Sequence, residues 1–274
     1  MNSILNKINN NQEVIGVIGL GYVGLPLAVE FSINKIKVIG FDTDSSKINK
    51  IKNKINYISD VEEDDFILAV SNSFFKCTTD FSEIKNCDAI IICVPTPLDL
   101  YKKPDMSYIE SACNSISENM SKGTFISLES TTYPTTTESF ILPLIEKKSN
   151  YKHGIDFWLA YSPERVDPGN KNYNTKNTPK VIGALDENGL KIGKLIYSKV
   201  IQSIYEVSSP TVAEMVKILE NTYRLVNISL VNELALLAGK MKININEVID
   251  AAKTKPFGFQ AFYPGPGIGG HCIP

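Results

Sequence analysis

Gly19, Gly21 and Gly24 punctuate the step from an apolar run at 14–19 into an amphipathic helix expected over 22–33. Glycines at that spacing answer three separate needs. Gly19 makes the tight turn, Gly21 lets the backbone approach a pyrophosphate, and Gly24 lets the helix pack on a sheet. The start of the helix, with Tyr22 and Val23, supplies N–H groups and a positive dipole end. A second apolar run at 37–42 ends on Asp42, 18 residues after Gly24. Its carboxylate would accept hydrogen bonds from the adenine ribose hydroxyls and repel a 2′-phosphate, so NAD is expected rather than NADP. Lys47 is close enough in sequence to touch the same ribose or a phosphate. A purely structural glycine turn is the alternative, and the strand before and helix after it weigh against that.

The alternation continues along the chain. Strands are expected at 88–94, 124–128, 157–161, 180–183 and 203–207, with helices at about 107–120, 135–147 and 187–197. Short apolar strands separated by helices predict an α/β fold, a Rossmann-like doubly wound parallel sheet with helices on both faces. From 210 to 241 the pattern changes to one long helix, about 45 Å at 1.5 Å per residue, apolar on nearly every side. Such a helix is expected to be buried between two domains or two subunits. A short helix at 246–253 and a Pro/Gly-rich loop at 256–274 follow. The expected division is 1–208 for an NAD-binding domain and 209–274 for a central helical domain of dimerisation and catalysis.

Composition narrows the partners. A net charge of −2, with charges dispersed, gives no basic patch for nucleic acid. No apolar run approaches the length needed to span a bilayer, and residues 1–12 read as a polar, loose leader without a signal-peptide core. Cys77, Cys87, Cys93, Cys113 and Cys272 show no CxxC pair and no ligand spacing with His153 or His271. Neither a zinc site nor a disulfide framework is expected, and a reducing cytoplasm fits.

Several residues carry possible chemistry, each beside a plainer reading. Lys217 and Asn221 are spaced i, i+4 and share one face of the long helix, with Glu214 and Arg224 one turn to either side. They would stabilise a substrate oxygen that becomes negative; otherwise they are an exposed lysine beside an inter-helix asparagine. Thr96, after the 88–94 strand, and Thr132, after the 124–128 strand, stand where doubly wound folds bind ligands, or else in loops shaped only by proline. Glu164, just past a strand end, would serve as a general base toward water or pair with Arg165. Cys272 follows a flexible Gly-Gly step, where Gly269 and Gly270 offer N–H groups to an oxyanion and a nearby cation would favour the thiolate; otherwise it is a loop thiol.

Taken in order, the segments GVIGLGYVGLPLA, VIGFDTDSSKI, CVPTP, TTYP, YSPERVDPGN, AEMVKILENTYRLVNISLVNELA and PGPGIGGHCIP resemble the UDP-glucose/GDP-mannose dehydrogenase family. SPERVDPG and GGHCIP resemble most the branch acting on UDP-N-acetylhexosamines, the UDP-N-acetylglucosamine and UDP-N-acetylmannosamine 6-dehydrogenases. The resemblance implies oxidation of a sugar C6 alcohol to a carboxylate with two NAD, in the synthesis of surface polysaccharides such as capsule or O-antigen. It implies that Cys272 traps the intermediate aldehyde as a thiohemiacetal, which is oxidised to a thioester and hydrolysed. Lys217 and Asn221 would stabilise the oxyanion and position water, Glu164 would assist hydrolysis, and Thr132 would lie near the nicotinamide and that water. Arg165, Arg224 and the 263–269 loop, including Tyr263 and Gly269, would contact the UDP-sugar. A homodimer through the long helix is expected from its apolar surface.

Two positions depart from the family pattern. Its TTYP turn continues with glycine, where this chain has Thr135, a residue that still caps helices. An aspartate four positions past the cysteine and a C-terminal UDP-binding domain are absent, so residues 1–274 are expected to bind NAD and turn over little or nothing. Two rival readings remain: a β-hydroxyacid dehydrogenase, which shares the KxxxN helix, needs no cysteine and releases one NADH; and a non-catalytic NAD-binding protein kept for dimerisation.

Overall fold

A computed structural model describes residues 1–167 and 172–265. It divides into two compact units, Met1–Met215 and Val216–Pro274.

The first unit is built on an eight-stranded sheet: β1 Val14–Ile18, β2 Lys37–Phe41, β3 Phe75–Thr78, β4 Ala89–Ile92, β5 Thr124–Leu128, β6 Phe157–Tyr161, β7 Lys180–Ala184 and β8 Ile204–Val207. The spatial order is β3-β2-β1-β4-β5-β6-β7-β8. The first six strands run parallel in the Rossmann order. The expected all-parallel sheet holds up to β6. There β7 pairs antiparallel, Ala160 opposite Ala184 and Tyr161 opposite Gly183, and β8 runs parallel to β7. Central strands are buried along their length, as helices on both faces require; Ile90, Ile91 and Ile92 of β4 are wholly inaccessible. Each isoleucine buried there contributes about 1.5–3 kcal/mol.

Helices cover both faces. They are α1 Asn2–Asn9, α2 Gly24–Ile33, α3 Ser45–Lys52, α4 Glu63–Ser71, α5 Ser107–Asn119, α6 Leu142–Ser149 and α7 Glu187–Tyr197. Helices α3 and α4 have no counterpart in the sequence expectation, and three others differ from it. Residues 1–12 are not a loose leader: α1 turns Ile4 and Ile8, one turn apart, into the core, and Lys7 pairs with Asp88 at 2.6 Å. Lys199, just past α7, donates to the Ile8 carbonyl and to Asn11 Oδ1, tying α1 to α7. The helix after the glycine turn, α2, is not amphipathic; residues from Gly24 to Ser32 are buried nearly all round. The expected helix at 135–147 starts instead with a π-type turn at Thr137–Ile141 that runs into α6.

The long helix is α8, Pro210–Lys240, followed by α9, Ile245–Lys253. Among the described residues much of its apolar surface is uncovered. Val212, Met215, Leu219, Tyr223, Val226, Leu230, Leu234 and Leu237 are all exposed. Within the second unit, Tyr223 donates to Gln260 Oε1 at 2.8 Å and Tyr263 to Asp250 Oδ1 at 2.7 Å. Among the described residues no helix is long and apolar enough to cross a membrane.

Candidate active site

Parallel strands end together, so the loops after β1, β2, β4, β5 and β6 share one rim of the sheet. The glycine turn shows why each glycine stands where it does. Gly19 has φ +92°, and a Cβ there would lie 2.6 Å from the Cys93 carbonyl oxygen. A Cβ on Gly24 would meet the Gly19 oxygen at 1.9 Å. Gly21 differs: a Cβ there would meet nothing within 4 Å. The open space over Gly21 leaves the backbone free to be approached by a phosphate group. Gly19 and Gly24 build the turn, and Gly21 leaves the room. Tyr22 is exposed and Val23 precedes the first residue of α2.

Asp42, at the end of β2, is 6% exposed. Its carboxylate accepts from the Leu20 N–H at 2.9 Å and the Asp44 N–H at 2.9 Å, and Lys47 Nζ lies 2.9 Å away. Asp42 thereby fastens the glycine turn to the loop after β2. Tyr57 adds a 2.7 Å bond to the Leu20 carbonyl. Burial, followed by the charge of Asp42, raises the Tyr57 hydroxyl far above its ordinary value, which keeps it a donor. Nothing in the sequence reading pointed to Tyr57; an aromatic between charged helices leaves no periodic signal. Gly19, Gly21, Gly24, Asp42 and Lys47 fit the adenosine and pyrophosphate portion of a dinucleotide.

The next loops are joined by hydroxyls. Thr96 donates to the Thr131 carbonyl at 2.6 Å, and Ser130 donates to the Val94 carbonyl at 2.6 Å. Thr132, 3% exposed, shares a 2.7 Å hydrogen bond with Thr136. Thr135 sits at φ +77°, the left-handed region that favours glycine. What holds it there is Glu214, one turn into α8. The fully buried carboxylate accepts from the Thr135 N–H at 2.6 Å, the Thr137 N–H at 2.9 Å and the Thr137 hydroxyl at 2.7 Å. Burial raises the Glu214 carboxyl, while these donors pull the other way.

Glu164 follows β6. Its Oε1 accepts from the Arg165 N–H at 2.8 Å and the Val166 N–H at 2.6 Å, and the Arg165 guanidinium reaches the Pro179 carbonyl at 2.8 Å. Beneath lies a polar cluster the sequence reading missed: Glu129, Lys180, Tyr197 and Ser127. Lys180 Nζ is 2.9 Å from Glu129 Oε2, and Tyr197 donates to Glu129 Oε1 at 2.6 Å. Burial drives the Lys180 ammonium downward, but the Glu129 and Glu164 carboxylates outweigh it and hold the proton on. Cys93 is packed beside this cluster, its thiol pushed up by burial, and Cys87 and Cys113 are pushed up to about 12 by the same cause.

The remaining candidates belong to α8 and the second unit. Lys217 and Asn221 are half-buried on α8, Arg224 is exposed one turn on, and Tyr263 is exposed beyond α9. The first unit therefore brings together the glycine turn, Asp42, Lys47, Thr96, Thr132, Glu164 and Arg165. Gly269 and Cys272 lie outside the described residues. Among the described residues no group of three or more side chains is arranged to hold a metal ion.

Known proteins resemble both parts of the chain. Residues 13–201 match the NAD binding domain of the UDP-glucose/GDP-mannose dehydrogenase family, and residues 211–274 match its central domain. Protein CapL of Staphylococcus aureus is 42% identical over 260 residues, covering 94% of this chain and 60% of the relative. The UDP-N-acetyl-D-glucosamine 6-dehydrogenase of Salmonella typhi is 37% identical with the same coverage. The solved structure of a UDP-D-ManNAc dehydrogenase from Pyrococcus horikoshii superposes with a TM-score of 0.89 at 37% identity, covering 94% of this chain and 62% of that one. The chain thus spans about 60% of the length of the relatives it matches.

Proposed function

Because the chain belongs to the UDP-glucose/GDP-mannose dehydrogenase family, with NAD as the cofactor of its first domain, we propose that it serves a nucleotide-sugar 6-dehydrogenase. The substrate is a UDP-N-acetylhexosamine whose C6 alcohol is oxidised to a carboxylate with two NAD, for surface polysaccharide such as capsule or O-antigen. The observation that carries this reading is the glycine turn with open space over Gly21, locked to a buried Asp42, in a chain matching both family domains. NAD, when bound, supplies the hydride acceptor. The working division is 1–208 for cofactor binding and 209–274 for catalysis and dimerisation.

In this scheme the protein's residues divide the labour. Gly19, Gly21, Tyr22, Val23, Gly24, Asp42, Lys47 and Thr96 hold the dinucleotide. Cys272 attacks the intermediate aldehyde, so the carbon stays anchored until the second oxidation makes it a thioester. Lys217 and Asn221 stabilise the oxyanion. Glu164 accepts a proton from the hydrolytic water, which Thr132 helps to place. Arg165, Arg224, Tyr263 and Gly269 contact the UDP-sugar.

Apart from Leu236, the exposed large apolar residues of α8 recur at steps of three and four from Val212 to Leu237, one stripe along the helix. That regularity supports a homodimer formed through α8. A reducing cytoplasm is the proposed location, consistent with thiols kept inert by burial. The β-hydroxyacid and non-catalytic alternatives find no support in matches to both family domains. The test is the full-length gene product with NAD against a panel of UDP-sugars, beside Cys272→Ser. Two NADH per sugar are expected from the parent. A serine variant that completes both oxidations at the parent rate would eliminate the thioester scheme.

A further inference from the structure

Lys180 brings one positive charge to a place that water scarcely reaches. It is 5% exposed, and Glu129 beside it 1%. The ammonium lies 2.9 Å from Glu129 Oε2, 4.0 Å from Glu164 Oε2 and 5.0 Å from the centre of the Tyr197 ring. The reversed strand explains its location. The β6–β7 ladder pairs Ala160 with Ala184 and Tyr161 with Gly183. Three more steps along that register bring Lys180 level with Glu164. A parallel β7 would have brought its other end to this rim. Glu129 follows the last residue of β5, one strand further along the same rim. The cation therefore stands between the loops that carry Thr132 and Glu164.

Stability alone is a weak reason for such a charge, since desolvating a buried ion pair generally consumes what the attraction returns. Glu129 suffices as the counter-ion, held from its other oxygen by Tyr197. Glu164 is a second carboxylate facing the same ammonium, at a distance where attraction is Coulombic rather than a hydrogen bond. Its Oε1 is engaged by two backbone N–H groups, and its Oε2 is the oxygen nearer to Lys180.

We infer that Lys180 is a positioning residue for Glu164, steadying the second carboxylate oxygen so that it can take a proton from the hydrolytic water. The inference rests on the proposed role of Glu164. In that step the water oxygen bonds to the thioester carbon and the carbon–sulfur bond breaks. Cys272 leaves as thiolate, the water's proton passes to Glu164, and no electrons are exchanged with NAD.

The test uses the full-length gene product with NAD and a UDP-N-acetylhexosamine, followed by rapid mixing and intact-protein mass spectrometry. Lys180→Met alone strands a buried carboxylate, so the working variant is the Glu129→Gln/Lys180→Met double, with Glu164→Gln as reference. Both are expected to release a burst of two NADH per site at the parent rate, accumulate the covalent acyl adduct, and lose roughly tenfold or more in steady-state turnover, with the apparent KM falling as the adduct accumulates. A double variant that hydrolyses at the parent rate while Glu164→Gln accumulates adduct would overturn the role of Lys180 alone. If Glu164→Gln also hydrolyses normally, the reading of Glu164 fails and this inference with it. A double variant that loses the burst as well, or melts far below the parent, would assign Lys180 to the fold and overturn the inference.

Discussion

Gly21 and Gly24 stand three residues apart, yet alanine should harm them differently. At Gly24 the new methyl would sit 1.9 Å from the Gly19 oxygen, so the turn must shift. Overpacking of that kind costs about 1–3 kcal/mol, and the melting temperature should fall with it. At Gly21 the methyl meets no protein atom within 4 Å, so Gly21→Ala should melt at or slightly above the parent temperature. What it should lose is NAD affinity, by about tenfold or more, equivalent to some 1.4 kcal/mol. Calorimetric NAD titration with thermal melts separates the two. A Gly21→Ala protein that binds NAD as tightly as the parent would remove the pyrophosphate from this turn. Asp42 would have a double duty of the same sort, since the carboxylate that organises the turn is also the one proposed to meet the ribose.

At the level of elements, the turn at 131–137 depends on a residue 77 positions away: Glu214 gathers two backbone N–H groups and a hydroxyl. Removing it orphans buried donors, so Glu214→Ala should cost about 2–4 kcal/mol, with Glu214→Gln losing less because one oxygen remains. A denaturant midpoint unchanged in Glu214→Ala would contradict this. Sequence spacing suggested only that Glu214 lies one turn before Lys217, because long-range capping leaves no local pattern. Elsewhere legibility followed burial. Strands buried on both faces, such as 124–128 and 157–161, were readable to the residue, and so was the 187–197 helix; the Asp186 cap in front of it was not. The elements of 45–78 were not read. Helix α3 buries only Ile48 and Ile51 among lysines, and edge strand β3 buries only Cys77. Strand direction was equally hidden, since an apolar run such as 180–184 reads the same either way along a sheet. With the direction of β7 went the Lys180–Glu129 pair: a charge flanking an apolar strand looks like an ordinary strand end. In the site, the glycine turn and Asp42 were legible because their chemistry is local.

For the whole molecule, the proposed assembly turns on α8. Leu219 is 63% exposed and Leu230 54%, large apolar areas to leave in water. If the proposed homodimer forms through this stripe, the parent should sediment as a dimer and the double variant Leu219→Glu/Leu230→Glu as a monomer, with NAD affinity retained. A variant that still dimerises would move the interface away from this stripe. The first unit has a different kind of closure. Because α1 is tied to α7 through Lys199, the earliest residues of the sheet unit are fastened to some of its latest, nearly 190 positions downstream. Fraying at residues 2–9 is thus not a private event of the terminus: it releases the far side of the sheet too, and the domain opens as a clasp rather than as a thread.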